Sequence, residues 1–585
     1  MSGDTEKLAS TRHTLAHLLA AAIHELYPHA KATIGPAIDT GFYYDFDFSG
    51  GTVPNVDDLP NIQKKMVALL PAWKEFTRKE VTADEARKAF AGNQFKTELI
   101  DDLAKEGATI TLYTSGGFTD LCRGGHAEHP SKEIDAGSFK LDKVAGAYWR
   151  GDEKNPMLTR IYGLAFDTRA SLEQFITQRE EAIKRDHRKI AKEQGLLVFS
   201  DLVGSGMPMY TPKGNIIRNA IIGYSRELNE KLGFGEVHTP NVNKAELFKL
   251  SGHYDAYKED MLSVRSQYVS DEMFLKPMNC PQHTQIYASA PRSYRDLPVR
   301  YSDFANLYRD ERPGQLSGLT RLRAFAQDDG HIFCREDQIE SEISNVLSAI
   351  QEALKTYNID YWMRFSLRGA ANDSKYLGDP AVWERAQNIM RSLLKSKKIE
   401  HKEAQGEAAF YGPKIDIMAV DAIGREWQIS TVQLDFVQPS RFQLEYTAED
   451  GSKKTPVMIH RALIGSPDRF LGVLIEHYAG AFPLWLSPVH VKILPVSDKQ
   501  TAYAQSVFDQ LKAAGIRVEL SDGDSLGKRI RAAKVDKVPY LLVVGDQEVT
   551  DSTATLESRD KGKIGALSIT EIISKLQEEI RNRAA

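Results

Sequence analysis

The pattern that most constrains this chain runs from Leu307-Tyr308-Arg309-Asp310-Glu311, through a loop holding Pro313, Gly314 and Gly318, to Arg321, Arg323 and the run Phe325 to Phe333. It reads as strand, flexible loop, strand. Two guanidiniums flanking such a loop have two possible uses. They can clamp a polyphosphate bidentately, or they can decorate an exposed, salt-bridged hairpin.

Upstream, Cys280 sits in Pro-Met-Asn-Cys-Pro, where Pro277 and Pro281 predict a turn with no helix interior on either side. His331 follows a strand-like run beside Asp328 and Asp329, and His460 ends the strand-like TPVMIH. One cysteine and two histidines can hold a tetrahedral zinc whose fourth position stays open. No short ligand motif links these three, so for the residues alone a buried structural cysteine with two satisfied histidines is the better account.

Taken together, these segments resemble a known family. LYRDE with its arginine-rich loop resembles motif 2 of class II aminoacyl-tRNA synthetases, and Ile464-Gly465-Ser466-Pro467-Asp468-Arg469-Phe470 resembles motif 3. Within that class, PMNCPQH, QDDGHIF and VMIHRALIGS resemble the threonyl-tRNA synthetases. The resemblance implies a multidomain α+β protein with a class II antiparallel-sheet catalytic domain. Arg309 is expected at the α-phosphate and substrate carboxylate, and Arg321 and Arg469 at the β- and γ-phosphates of ATP, with Mg²⁺ neutralising the remaining charge. Gln327 and Lys414 join them as catalytic residues. Met278, Asp329, Tyr411, Gln428, Thr431, Gln433 and Ser466 complete the substrate pocket. One zinc per subunit, on Cys280, His331 and His460, is expected to bind threonine through its amino group and β-hydroxyl. That makes the hydroxyl obligatory, because an apolar pocket separates threonine from valine by only about a hundredfold.

Along the rest of the chain, Ser10 is placed to cap a helix from Thr11 to Tyr27 with a stripe of Leu15, Leu18, Leu19, Ala22, Ile23 and Leu26. His13 and His17 share one face of it. GFYYDFDF reads as an aromatic strand, residues 57–105 as charge-rich helix, and Thr119 to His126 as a loop presenting a thiol and an imidazole. HxxxH with a later CxxxH satisfies the ligand count of a zinc hydrolase, while His13 alone could simply flank a core stripe. In this order HTLAH, GFYYDFD and TDLCRGGH resemble the editing domain shared by threonyl- and alanyl-tRNA synthetases. That resemblance implies metal-free hydrolysis of seryl-tRNA by His13, His17, Cys122 and His126, with Lys96, Asp120 and Tyr44 in the same pocket. Serine keeps the hydroxyl and lacks one methyl, a difference worth only about 1–3 kcal/mol, so a second sieve has a physical reason.

The expected divisions are an editing domain at 1–168, an exposed charged linker helix at 169–195, a catalytic domain at 196–487 and an anticodon-binding domain at 488–585. The helix and strand of MYTPKGNIIRNAIIGYSREL and GFGEVHTPNV resemble motif 1, which implies a homodimer. AAFYGPKIDIMAVDAIGREWQISTVQLDFVQP predicts antiparallel strands joined at Gly424. After Pro488, strands alternate with helices, predicting a small α/β domain with a largely parallel sheet. There Lys528, Arg529, Arg531, Lys534 and Lys537 form a basic patch, either a solvated face or, by resemblance, an anticodon surface. Glu557 stands where an arginine is expected, and Glu548 fits the family pattern. The resemblance implies that most bacterial threonyl enzymes carry a further small domain ahead of the editing domain; this chain is expected to lack it, which should spare the chemistry of the other domains.

A net charge of -5 restricts any nucleic-acid surface to a local patch. Cysteines at 122, 280 and 334 are too few and scattered for a disulfide framework, and a reducing cytoplasm fits them. There is no signal peptide or apolar run that would span a bilayer, so no membrane partner is expected. The expected activity is threonine–tRNA ligation, consuming threonine, ATP and tRNA(Thr), with editing of seryl-tRNA(Thr). The alternative is a non-catalytic, synthetase-like RNA-binding or regulatory protein.

Overall fold

The computed structural model describes residues 2–369 and 375–584. They fall into two compact units, residues 1–180 and 181–585.

In the first unit, helix Ser2–Leu26 lays Leu15, Leu18, Leu19 and Ile23 against Phe42, Tyr44 and Phe46 of strand Gly41–Asp47. Four strands pair in the order Lys31–Ala32, Gly41–Asp47, Met157–Ala165, Phe139–Tyr148. The helix begins well before Ser10, whose carbonyl accepts a hydrogen bond from Thr14 Oγ1 (2.9 Å) inside the helix instead of capping it. Glu6, Lys7, Leu8 and Ala9 are strong helix formers, so nothing stops the helix at Ser10. The charge-rich stretch is likewise not all helical. Between helices Leu59–Leu69 and Ala83–Ala89 lies strand Thr77–Glu80, which pairs with Thr111–Ser115. Its four side chains are exposed, so composition gave no strand signal and pairing with a distant partner decided the conformation. Thr111–Ser115 pairs in turn with Phe118–Leu121, and that hairpin delivers Cys122.

The second unit is built on an eight-stranded sheet in the order Gly235–Glu236, Val299–Tyr308, Ala324–Cys334, Val457–Ala462, Glu426–Asp435, Lys414–Val420, Asp360–Leu367, His401–Gln405. All pairs are antiparallel except the outermost at each edge. Helices Pro212–Lys231, Ile339–Thr356, Pro380–Ser396 and Pro467–His477 bury apolar stripes in its core. The strands flanking the arginine loop and the turn at Gly424 (φ +79°) are as expected.

Two local expectations are corrected. Cys280 is the first residue of helix Cys280–Ala288. Pro281 occupies the first turn, where its missing N–H costs nothing and its fixed φ suits the helix. The charged stretch after residue 169 is two helices, Arg169–Arg185 and His187–Glu193, broken at Asp186, whose side chain accepts from the Arg188 N–H (2.8 Å). The second helix is not a solvated rod, for His187, Ile190 and Ala191 are buried.

The C-terminal sheet runs Val518–Leu520, Val491–Pro495, Tyr540–Val544, Thr553–Ser558, Gly562–Ser568. The first three strands are parallel and the last two antiparallel. Arg529 leaves the basic patch: it is buried, and its guanidinium donates to the carbonyls of Ser521 (2.6 Å), Pro495 (2.7 Å) and Asp524 (2.8 Å). Lys534 reaches Glu557 (3.7 Å). Among the described residues no helix is long and apolar enough to cross a membrane.

Candidate functional site

Two adjoining cavities open on the large sheet. One, of about 530 Å³, is lined by Arg309, Arg321, Gln327, Gln428, Thr431, Gln433, Ser466 and Arg469, among others. The second, of about 350 Å³, is lined by Met278, Cys280, Asp329, His331, Tyr411, Lys414 and His460, and shares Arg309, Gln327, Thr431 and Gln433 with the first. Every residue expected in the synthetic site therefore lines one or both.

Arg309 leaves the end of its strand, its N–H bonded to the Arg323 carbonyl (2.9 Å) and its guanidinium 5.1 Å from the Phe325 ring centre. Arg469 sits in the first turn of helix Pro467–His477, and Ser466 caps that helix by accepting from the Arg469 N–H (3.3 Å). Among the described residues neither guanidinium has an ion-pair partner, and burial lowers the pKa of both. The Arg469 Nε is buried with no hydrogen-bond partner. Two like charges drawn partly out of water with no direct ion pair are costly, and a polyanionic ligand offsets that cost. Arg321 is different: it is about half exposed and pairs with Glu311 (2.8 Å).

Lys414, Gln428 and Thr431 converge on the buried Asp416, at 2.9, 2.8 and 3.1 Å, where Ser366 (2.8 Å) and Arg364 (3.0 Å) also bind. Tyr411 donates to Gln433 Oε1 (2.5 Å), and its ring stacks on His460 with 4.4 Å between centres.

Strand register explains how distant residues meet. His331 lies directly opposite His460 on the neighbouring strand, and the Cys280 helix starts beside them. Ligand atoms of the three lie within 4.8 Å of one another and all three residues are buried. The nitrogens turned away from the cluster are held: His460 Nε2 by Asp435 Oδ2 (2.9 Å), His331 Nδ1 by His283 Nδ1 (2.8 Å). That leaves His331 Nε2 and His460 Nδ1 facing each other at 3.0 Å. Burial pushes the Cys280 thiol well up and the His331 imidazole well down. A soft-and-imidazole donor set with oriented outer partners fits zinc. Burial, with Asp303 and Asp328 nearby, pushes the Asp329 carboxyl up to about 7.

The first unit has its own cavity, of about 510 Å³, lined by His13, His17, Tyr44, Lys96, Asp120 and Cys122. His13 Nε2 is 3.1 Å from His17 Nε2 and 3.4 Å from Cys122 Sγ, which is also 3.4 Å from His126 Nε2. Buried Asp120 binds His17 (3.0 Å), Lys96 (2.5 Å) and the Tyr44 hydroxyl (2.5 Å). Burial opposes charge on His17, but Asp120 and Cys122 outweigh it and hold the imidazole at about 9. Burial also opposes a thiolate at Cys122, yet the three surrounding imidazoles bring it down to about 3.

Sequence reasoning missed Asp416, Asp435, His283 and Phe76, whose ring stacks on His126 at 3.9 Å. The signals available are slight: Asp416 and Asp435 lie on strands that the alternation predicts, and His283 ends the PMNCPQH segment.

An antiparallel sheet bearing motif 2 and motif 3 arginines over one cavity defines a class II aminoacyl-tRNA synthetase. Three family models match parts of the chain. The family described as tRNA synthetase class II core domain (G, H, P, S and T) matches residues 263–478, the anticodon binding domain 490–579, and the threonyl and alanyl tRNA synthetase second additional domain 110–162. The threonine–tRNA ligase of Rubrobacter xylanophilus is 46% identical over 562 residues, covering 95% of this chain and 86% of the relative. That of Gloeobacter violaceus is 45% identical over 591 residues, covering 99% and 94%. A solved structure described as the RNA binding domain of threonyl-tRNA synthetase from Cryptosporidium parvum superposes with TM-score 0.64 at 36% identity, covering 67% of this chain and 98% of that one. The chain belongs to the threonine–tRNA ligases, EC 6.1.1.3.

Proposed function

We propose that the two adjoining cavities bind ATP and threonine, and that the first unit's cavity edits seryl-tRNA(Thr). The domain reading is editing at 1–168, a linker at 169–195, catalysis at 196–487 and anticodon binding at 488–585. The observation that carries it is a pair of arginines that have no ion-pair partner among the described residues: Arg309 and Arg469 line the larger cavity together, and Arg309 also lines the one that holds Cys280, His331 and His460.

In this reading Arg309, shared by both cavities, holds the α-phosphate against the threonine carboxylate while Arg321 and Arg469 take the outer phosphates with Mg²⁺. Adenylyl transfer needs such positioning and charge neutralisation more than covalent help. Gln327 and Lys414 border the reacting groups, Met278, Tyr411, Gln428, Thr431, Gln433 and Ser466 wall the substrates, and Asp329 accepts protons from the threonine amino group or hydroxyl. Cys280, His331 and His460 would hold one zinc per subunit, which when bound supplies coordination for the amino group and hydroxyl. In the editing cavity, His13, His17, Cys122 and His126 polarise water and hold the terminal ribose, with Asp120, Lys96 and Tyr44 fixing His17. Partners are tRNA(Thr) and a second copy of the chain. Exposed Val198, Phe199, Leu202, Val203 and Met209, just before helix Pro212–Lys231, support the homodimer. Three free cysteines fit a reducing cytoplasm.

The test is amino-acid-dependent ATP–pyrophosphate exchange on metal-analysed protein. Strong exchange with threonine, weaker with serine and almost none with valine, with about one zinc per chain, is expected. Exchange with none of the three would favour the non-catalytic RNA-binding alternative. For editing, His13→Ala should accumulate seryl-tRNA(Thr).

A further inference from the structure

We infer that His187, in the short helix preceding the catalytic sheet, is a positioning residue that seats the tip of the arginine loop and thereby aims Arg321 into the nucleotide cavity. The Leu319 backbone N–H donates to His187 Nε2 (2.9 Å). Because that N–H can only donate, Nε2 is the acceptor, and the ring proton sits on Nδ1, facing Glu476 Oε1 at 2.6 Å. Glu476 is itself fixed, accepting from the His187 backbone N–H (3.1 Å) and pairing with Arg425 (2.5 Å). His187, Leu319 and Glu476 are all buried.

Shape adds to the hydrogen bond. Gly318 adopts a left-handed conformation (φ +46°), and a Cβ there would come within 2.1 Å of His187 Nε2. Across the same contact, a Cβ on Gly472 would meet Leu319 Cβ at 3.0 Å. Two glycines thus let the loop tip press against the imidazole and helix Pro467–His477. The tip is closed by Thr320 N–H to Ser317 O (2.8 Å) and Arg321 N–H to Ser317 O (3.2 Å), so displacing Leu319 displaces Arg321. The Arg321 side chain is half exposed and held by Glu311 and Gln315. Asp186, His187 and Glu476 also present clustered ligand atoms. Both His187 nitrogens are already engaged, one by an N–H donor, and Arg188 and Arg425 pair with the two carboxylates, which leaves no place for a cation.

The inference rests on Arg321 as a phosphate-binding residue, and isosteric variants separate the two claims. Asn at 187 places an amide where Nδ1 was and keeps the Glu476 bond; Gln places an oxygen where Nε2 was and keeps the Leu319 bond. In threonine-dependent pyrophosphate exchange, His187→Asn should raise the ATP KM about tenfold with the threonine KM unchanged, and His187→Gln should stay within about threefold of the parent. Arg321→Ala is the reference. If it raises the ATP KM and His187→Asn does not, or if the two His187 variants behave alike, the positioning role is wrong. If Arg321→Ala has no effect, the phosphate reading is wrong. Should His187→Asn fail to fold, Gly318→Ala pushes the tip off an intact imidazole, and an unchanged ATP KM in that variant overturns the inference.

Discussion

Asp435→Asn isolates the orientation of the metal-type cluster with a change of one atom. Asp435 Oδ1 accepts the backbone N–H groups of Val437 (2.7 Å) and Gln438 (2.9 Å), while Oδ2 accepts from His460 Nε2 (2.9 Å) and Gln438 Nε2 (2.9 Å). A carboxamide has one acceptor oxygen, and the two backbone donors claim it. The new NH₂ then faces His460 Nε2, which can bond it only by giving up its proton. The imidazole proton moves to Nδ1, the nitrogen that faces His331 and must be bare to bind a metal. Gln438 can flip to offer its otherwise unpartnered Oε1, so the fold keeps its hydrogen bonds and the penalty falls on His460. Loss of such an outer partner costs about 10- to 100-fold in metal affinity, or about 1.4–2.7 kcal/mol. The assay is competition for zinc against a chromophoric chelator at pH 7, with thermal melting as the fold control. An unchanged zinc affinity in a folded Asp435→Asn protein would refute the tautomer argument. Restored affinity in Asp435→Glu would support it, since a carboxylate can again accept from Nε2.

Other expected outcomes follow from burial and charge. Arg469→Ala should cost more in kcat/KM for ATP than Arg321→Ala, because charge-assisted hydrogen bonds made in a desolvated setting are worth about 1.5–3 kcal/mol, whereas exposed pairs are worth about 1 kcal/mol or less. Steady-state kinetics with ATP varied decide this, and equal losses would contradict it. Lys96→Met strands the Asp120 carboxylate with His17 as its only charged partner, and should destabilise residues 1–180 by roughly 3–5 kcal/mol, read as faster amide exchange there in the full chain. Burial opposes the Asp120 charge, but Lys96 and His17 hold its carboxyl well below the usual range. Its contribution is therefore complete above the unfolded carboxylate range near 4 and lost as pH falls below it. Amide exchange in residues 1–180 should accelerate through that acid window in the parent and respond less steeply in Asp120→Asn.

The residues whose chemistry is written in their type were legible in the sequence: Cys280, His331 and His460 as donors, Arg309, Arg321 and Arg469 as cations, and the HxxxH face with Cys122 and His126. What sequence could not supply was the partner of each. His331 meets His460 through one register of one strand pair, and a slip of one residue would turn His460 to the opposite face of the sheet. Asp416 and Asp435 sit in alternating strands where a carboxylate normally marks the solvent side, yet both are fully buried and gather the cations and imidazoles around them.

The same blindness explains two of the errors. Arg529 and His187 occur in charged stretches, the usual mark of a wetted surface, and both turned out to be buried organisers: Arg529 ties three backbone carbonyls, His187 ties a loop tip to Glu476. A buried polar side chain costs free energy unless its hydrogen bonds are made. Its presence in the interior is therefore a statement about partners that only the fold assembles. Mechanism in this chain depends on that second set of residues as much as on the motifs, because buried arginines and imidazoles bind a ligand well only when something else has fixed where they point.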